Sequence, residues 1–396
     1  MTISEQEIRS ATISLLDEVD FQEVGGISFR GEQYDRGLAF VHHPTGLGGR
    51  GASPALQGIV DEILADANVP AAFASNPIGV GMGAPTVMTY GSLELQRRLL
   101  RPLFTGEEIW CQLFSEPGAG SDVASLATRA VRDGDEWIVS GQKVWTTLAH
   151  VARWGMLVAR SDPDAPKHRG LTYFVLDMQA AGVEVRPLRQ ITGEAEFNEV
   201  YLTEVHISDS MRLGEVGNGW SVAITTLMNE RASIGGLVLP RSGGAIAEAL
   251  HTFGMRGSPV DSLDQLMQLW CGSEALRLTS LRAAAQRQQG NPGPEGSVVK
   301  LANAELNQKI YEFCVDTQQE DSLFYPDYTM RRPEFAGVHG DTSQRTATQA
   351  FLRSRANTIE GGTSEVMRNI LGERVLGLAG EPRSDKELPW SQIPKG

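Results

Sequence analysis

The chain has 396 residues, more than one ordinary hydrophobic core accommodates, and its formal net charge of −14 argues against a nucleic-acid or anionic-membrane partner, since both reward basic patches. Its three cysteines, Cys111, Cys271 and Cys314, form no CxxC pair and no cluster with histidine, which fits a reducing cytosol and speaks against a disulfide framework or a zinc site. The acidic start MTISEQEIRS lacks the basic region and apolar core of a signal peptide, and no later run is long enough to span a bilayer, so a cytoplasmic protein with room to bury a large ligand is expected.

Over residues 5–20 the apolar residues Ile8, Ala11, Leu15 and Val19 recur at three- and four-residue steps, which predicts an amphipathic helix. Helical patterns continue to about Phe104, interrupted by a Gly- and Pro-rich stretch at 43–54 that reads as an ordered loop, and 76–85 is another Gly-rich segment before the next helix. Between Trp110 and Leu213 the period changes to short β-rich runs at 136–140, 154–159, 171–176 and 183–185, and Asp133-Gly134 marks a hairpin. No helical pattern alternates with these strands, so the expected sheet or barrel is mostly antiparallel rather than a βαβ dinucleotide fold. Helical periodicity returns at 221–234, 263–288 and 297–317, and a last helix is expected to open near Thr363 with Glu365 in its first turn, where negative charge suits the helix dipole. The predicted fold class is α+β: an N-terminal helical lobe (1–108), a middle antiparallel β-sheet or barrel domain (109–214) and a C-terminal helical bundle (215–396), without internal repeats.

The stretch WCQLFSEPGAGSDVASLATRA, residues 110–130, holds the densest chemistry. Gly118 and Gly120 leave the backbone free to approach a flat ligand, and Ser115 and Ser121 place hydroxyls in the same loop. By itself this is a tight polar loop after a strand, which a turn with satisfied serines would also explain, just as Trp145 by itself would be a core aromatic. The seven histidines are scattered, and even the adjacent His42 and His43 would point apart on a regular element, so no metal site is expected. Nor is there a GxSxG elbow for a serine nucleophile.

Taken whole, residues 110–130 resemble the FAD and substrate signature of the acyl-CoA dehydrogenase family, and the likeness continues in register through GQKVWTT, residues 141–147. It runs on through LRQITGEAEFNEVYLTEVHIS (188–208), GEVGNGWSVAITTLMNERASIG (214–235) and FLRSRANTIEGGTSEVMRNILGERVLGL (351–378), and so covers nearly the whole chain from about Leu95. The resemblance implies FAD as cofactor, an acyl-CoA substrate, an electron-transfer flavoprotein as partner, and an assembly of two or more like or unlike chains. It implies that Gln112, Leu113, Phe114, Ser115, Gly120 and Ser121 face the isoalloxazine ring and the acyl-CoA, with Ser115 near the pyrimidine side and Ser121 nearer the pantetheine arm. Trp145, Thr146 and Thr147 would flank the flavin, with the Thr147 hydroxyl near N5 and the indole limiting water access. Thr363 and Glu365 are implied as further cofactor contacts, and Gly361 and Gly362 as substrate contacts.

Family chemistry needs a base for the weakly acidic α-proton while the flavin accepts the β-hydride. Many members place that glutamate directly before a single Gly-Thr, but this chain reads Glu360-Gly361-Gly362-Thr363, so aligning Thr363 puts Gly361 at the usual base position. Some members without the late glutamate carry the base on the cavity helix directly before an arginine, where Glu230-Arg231 stands here. The i±3 and i±4 neighbours of Glu230, namely Thr226, Leu227, Ser233 and Ile234, supply no cation, so desolvation on that face would raise its pKa, as suits a base. Arg231 would instead contact CoA. Where the family's cross-subunit arginine falls, FGMRGSPVDSLDQL offers only Arg256 among Asp261 and Asp264. The same fold also serves flavin oxidases and monooxygenases, and half-equipped subunits that complete a paralogous partner's site.

Overall fold

The computed structural model describes residues 3–235, 239–258, 260–288, 294–325, 327–332, 345–380, 382 and 385–393, with the backbone alone at 231–235 and 287–288. The N-terminal lobe holds α1 (Glu5–Glu18), α2 (Phe21–Asp35), α3 (Gln57–Asp66), α4 (Ala72–Ser75), α5 (Ala84–Tyr90) and α6 (Leu93–Thr105). Ser4 starts α1 with a reciprocal cap: its hydroxyl accepts from the Glu7 N–H, and the Glu7 carboxylate accepts from the Ser4 N–H at 2.8 Å. The helix stops at Glu18, short of the predicted Asp20, because Val19 turns extended and Asp20 caps α2. In α6 the stripe Leu95, Leu99, Leu100 and Leu103 is fully or almost fully buried, and Gly106 ends the helix at φ 84°, a conformation that favours glycine.

The middle region forms one eight-stranded sheet from β1 (Trp110–Leu113), β2 (Arg129–Asp133), β3 (Glu136–Thr147), β4 (Trp154–Arg160), β5 (Leu171–Asp177), β6 (Val183–Pro187), β7 (Phe197–Ser208) and β8 (Arg212–Leu213). The order is β6-β7-β3-β2-β4-β5-β8, and β1 lies on β4. The Asp133-Gly134 hairpin joins β2 to β3 as predicted, with Asp133 opposite Glu136. The sheet is not wholly antiparallel, however: β1 pairs with β4 in parallel, from Trp110↔Trp154 to Leu113↔Leu157, and β2 touches β4 in parallel at Arg129↔Arg160. Two strands thus share one edge of β4, so the expected antiparallel sheet is a mixed one. β4 and β5 are buried on both faces along almost their whole length, which is why they read as continuous apolar runs.

The C-terminal region contributes α7 (Gly219–Gly235), α8 (Ala245–Met255), α9 (Leu263–Gln288), α10 (Glu295–Gln318), α11 (Ala347–Ser354) and α12 (Ser364–Ile370). Thr363 caps α12, its hydroxyl accepting from the Val366 N–H, and Glu365 sits in the first turn as expected. Among the described residues no helix is long and apolar enough to cross a membrane.

His42 and His43 do not point apart, because they lie in a loop rather than on a regular element. Their rings meet edge to face at 4.7 Å, and burial pushes the His43 imidazole down to about 4. Among the described residues no group of acidic, histidine or cysteine side chains could hold a metal ion.

Candidate active site

The Gly-rich loop after β1 is fastened from beneath by a buried ion pair. Lys143, midway along β3, has no exposed surface and donates to Glu116 Oε1 at 2.8 Å, to the Phe114 carbonyl at 3.0 Å and to the Val158 carbonyl at 2.9 Å. Glu116 also accepts from the backbone N–H groups of Ala127 (2.6 Å) and Thr128 (2.9 Å). Burial alone would raise the Glu116 carboxyl, but the Lys143 ammonium and these donors hold it below the usual carboxylate range. The Val144 N–H donates to the Ser115 carbonyl at 2.9 Å, so loop and strand move as one body. The start of β1 is held by Asn76, fully buried, whose amide joins the Leu103 and Glu108 carbonyls to the Trp110 and Gly79 N–H groups. Sequence reasoning did not single out Glu116, Lys143 or Asn76. A glutamate and a lysine inside two matched motifs were the available signal for the pair.

Around this base the predicted residues divide. Gln112 and Ser115 are half-buried, Leu113 and Phe114 are buried, and Gly120 and Ser121 are exposed at the loop tip. A Cβ added at Gly118 or Gly120 would meet nothing within 4 Å, so there is open room beside the loop. The β3–β7 register shifts between Lys143 and Thr146, and at that bulge Trp145 takes φ 61° and stands out of the sheet with its side chain 57% exposed. A non-glycine residue in this conformation is strained and is found where a site needs a side chain re-aimed. Thr146 is buried opposite Asn198, and Thr147 lies opposite Phe197.

These residues fit a flat, polar-edged cofactor such as FAD. The side-chain nitrogen of Gln112 and the hydroxyl of Thr146 are buried without hydrogen-bond partners, beside an exposed indole and an open glycine loop. A buried polar atom left unpaired costs about 1–3 kcal/mol, which a ligand supplying the missing partner recovers.

The closing motif reaches the same edge of the sheet through Arg353. Its guanidinium donates to Glu360 through both terminal nitrogens (3.1 and 2.9 Å) and to Glu196 through Nε (3.1 Å), and lies over the Phe197 ring at 5.6 Å. Phe197 in turn meets Trp145 edge to face at 5.8 Å. Asn357 adds a 2.7 Å bond to Glu360. Burial would raise the Glu360 carboxyl, but Arg353 and Asn357 hold it below its ordinary 4.5; burial does raise Glu196, which Arg353 serves with one bond only. Gly361 and Gly362 turn the chain at φ 62° and 93°, and Lys300 donates to the Gly362 carbonyl. Among the described residues, no hydrogen bond or ion pair joins Gly361, Gly362, Thr363 or Glu365 to the 112–121 loop, and Glu365 is exposed.

Helix α7 approaches from the other side. Phe114 meets Tyr173 edge to face at 5.8 Å, the Tyr173 hydroxyl lies 3.1 Å from that of Thr226, and Thr226 is also 3.0 Å from the Thr86 hydroxyl of α5. Val222 and Thr226 are buried, and Glu230, one turn further on, is half-buried on the same helix face. Glu230 is not without a partner, contrary to an expectation that considered only its own helix. The Arg231 side chain lies outside the described residues. Arg256 bonds within its own chain, to the Gln318 carbonyl and to Asp321.

Comparison with known proteins matches most of the chain, between residues 17 and 376. The family descriptions "Acyl-CoA dehydrogenase, N-terminal domain", "middle domain" and "C-terminal domain" match residues 17–107, 111–209 and 217–376. Acyl-CoA dehydrogenase IpdE1 of Mycobacterium tuberculosis is 37% identical over 88% of this chain and 86% of its own length. Acyl-CoA dehydrogenase FadE34 of the same organism is 41% identical over 87% of this chain, which spans only 45% of that relative's length. The solved ChsE4-ChsE5 complex from Mycobacterium tuberculosis superposes with a TM-score of 0.68 at 26% identity, covering 97% of this chain and 100% of that one. The chain belongs to the acyl-CoA dehydrogenase family, whose cofactor is FAD.

Proposed function

We propose that this protein removes two hydrogens from the α,β bond of an acyl-CoA thioester, with Glu230 as the base and an electron-transfer flavoprotein as the electron acceptor, and that it works as three units, 1–108, 109–214 and 215–396. The observation that carries the assignment of the base is the state of Glu360. Arg353 grips its carboxylate through two nitrogens and Asn357 through a third bond, and the carboxyl is pushed below its ordinary value. A base that must take and hold a proton needs the opposite shift. Glu230 lies one helical turn beyond the Thr226–Tyr173–Phe114 chain that leads to the signature loop.

FAD, when bound, supplies the acceptor for the β-hydride. Gln112 and Thr146 offer it their unpaired polar atoms, Trp145 covers it and limits water, and Ser115 and Thr147 complete the polar rim. Gly120 and Ser121 at the loop tip meet the pantetheine arm, Glu230 receives the α-proton, and Arg231 meets CoA. Gly361, Gly362, Thr363 and Glu365 border the site from the closing motif.

Anaerobic addition of butanoyl-, octanoyl- or steroid side-chain CoA thioesters to the flavin-loaded protein tests this reading. One of them is expected to bleach the flavin absorption, with reoxidation fast by electron-transfer flavoprotein and slow by oxygen. A folded protein that takes up no flavin, alone or with a partner chain, would end the reading, and fast reoxidation by oxygen would make it an oxidase. A second reading, a subunit of a hetero-oligomer, is favoured by the engaged Glu360 and by likeness to a solved two-component complex. It predicts flavin bleaching only after a paralogous chain is added.

A further inference from the structure

The stretch 385–393 folds back across the sheet domain and grips the segment that follows the signature loop. Pro389 bridges to Pro166, the Trp390 N–H donates to the Ala165 carbonyl and the Ser391 N–H to the Pro163 carbonyl, both at 2.9 Å, so this stretch adds an edge to the β4–β5 connection. The Trp390 indole N–H reaches further and donates to the Ser125 carbonyl at 3.1 Å. Its ring lies 4.7 Å from the guanidinium of Arg160, a residue only 2% exposed, which itself donates to the Ala124 carbonyl (2.6 Å), the Leu126 carbonyl (3.3 Å) and the Lys167 carbonyl (2.9 Å). Lys167, 4% exposed, sits between Asp122 at 2.7 Å and Asp385 at 3.2 Å. Residues 122–126 are thus held by one buried arginine and one buried lysine, and the 385–393 stretch caps both.

We propose that this stretch is a strap that fixes the position of Gly120 and Ser121 for the CoA arm, with Trp390 as the positioning residue. Gly120 and Ser121 at the loop tip are exposed; on one side they follow the buried Ala119, bonded both ways to the Glu116 backbone at 3.0 Å, and on the other they lead into Asp122, which accepts from Ser125 and Lys167. The tip is therefore pinned at both ends, by the Glu116–Ala119 bridge before it and by segment 122–126 after it, and the strap acts on the second of these. This rests on the reading above in which Ser121 meets the pantetheine arm.

The test uses flavin-loaded protein and free coenzyme A as the probe. Trp390→Ala removes the indole bond and the cation–π contact, each worth a few-fold in equilibrium terms, so coenzyme A is expected to bind about tenfold more weakly at unchanged flavin content. Amide hydrogen exchange across 118–126 should accelerate, and Trp390→Phe, which keeps an aromatic face on Arg160, should recover part of both effects. A chain cut before Asp385 should match Trp390→Ala. Unchanged exchange across 118–126 in both the substituted and the shortened chain would overturn the strap. Faster exchange with unaltered coenzyme A binding would instead overturn the placing of Ser121 against the CoA arm, and the positioning role with it.

Discussion

The two flanks of the candidate site hold glutamates in opposite ways. On the sheet side, one lysine faces one carboxylate, and the two oxygens of Glu116 each accept from a backbone N–H group as well, so that pair has a single arrangement. On the helical side, one arginine is divided between two carboxylates, and burial pushes Glu196 up while Arg353 holds Glu360 down. The sheet side is therefore scaffold for the loop, and the helical side is a charge balance around one shared arginine. Glu116 and Glu360 are both held as carboxylates by a cation, which leaves the base assignment with Glu230 on α7.

The largest expected effect tests that division. Glu230→Gln should slow flavin reduction by acyl-CoA by roughly a hundred- to ten-thousand-fold with FAD retained, while Glu360→Gln stays within a few-fold of the parent rate. Stopped-flow absorbance of the two variants decides it: the reverse pattern moves the base to Glu360, and near-normal rates in both place it on another chain. Next in size, Lys143→Met leaves Glu116 buried without its cation and should cost about 3–5 kcal/mol in denaturant unfolding. A loss under about 1 kcal/mol would show that the sheet flank is not the scaffold it looks to be.

Acidity should separate the flanks more gently. Glu116 and Glu360 have carboxyls lowered from 4.5, so they stabilise the fold above that pH, and the contribution is lost as pH falls through their lower folded values. Glu196, raised by burial, has the opposite sign: its contribution is present below 4.5 and lost as pH rises through its raised folded value. Glu196→Gln should therefore abolish a decline in melting temperature on the rise from acid toward neutral pH while leaving the acid limb in place. The smallest effect belongs to Trp145. More than half exposed, it should change stability by only about 0.5 kcal/mol on replacement by Phe, while a rise in the oxygen reactivity of the reduced flavin would report its covering role.

What could be read from the chain alone was whatever repeats locally. The three- and four-residue steps of Ile8 and Leu15 located α1, the turn chemistry of Asp133-Gly134 located the β2–β3 hairpin, and the hydroxyl of Thr363 located the start of α12. The parallel seat of β1 on β4 was not legible, because strand period carries no information about a distant partner or its direction. The same holds for the Arg353–Glu196 contact and the His42–His43 stack, each of which depends on where the backbone brings two side chains. Glu360 illustrates the limit best: its displaced register was visible at once, but its service as counter-ion to Arg353 was not.

The parallel pairing of Trp110–Leu113 with Trp154–Leu157 also has a consequence for the order of assembly. β2 with β3 and β4 with β5 can associate as successive antiparallel pairs, whereas β1 must wait for β4 to exist and then close a long excursion of chain to reach it. Non-local contacts of this kind form slowly, as does the β3–β7 pairing, so the signature loop, which hangs from the end of β1, is expected to order late in folding rather than early. Cofactor capture would then report a late step of maturation, after the long-range pairings of the sheet have closed.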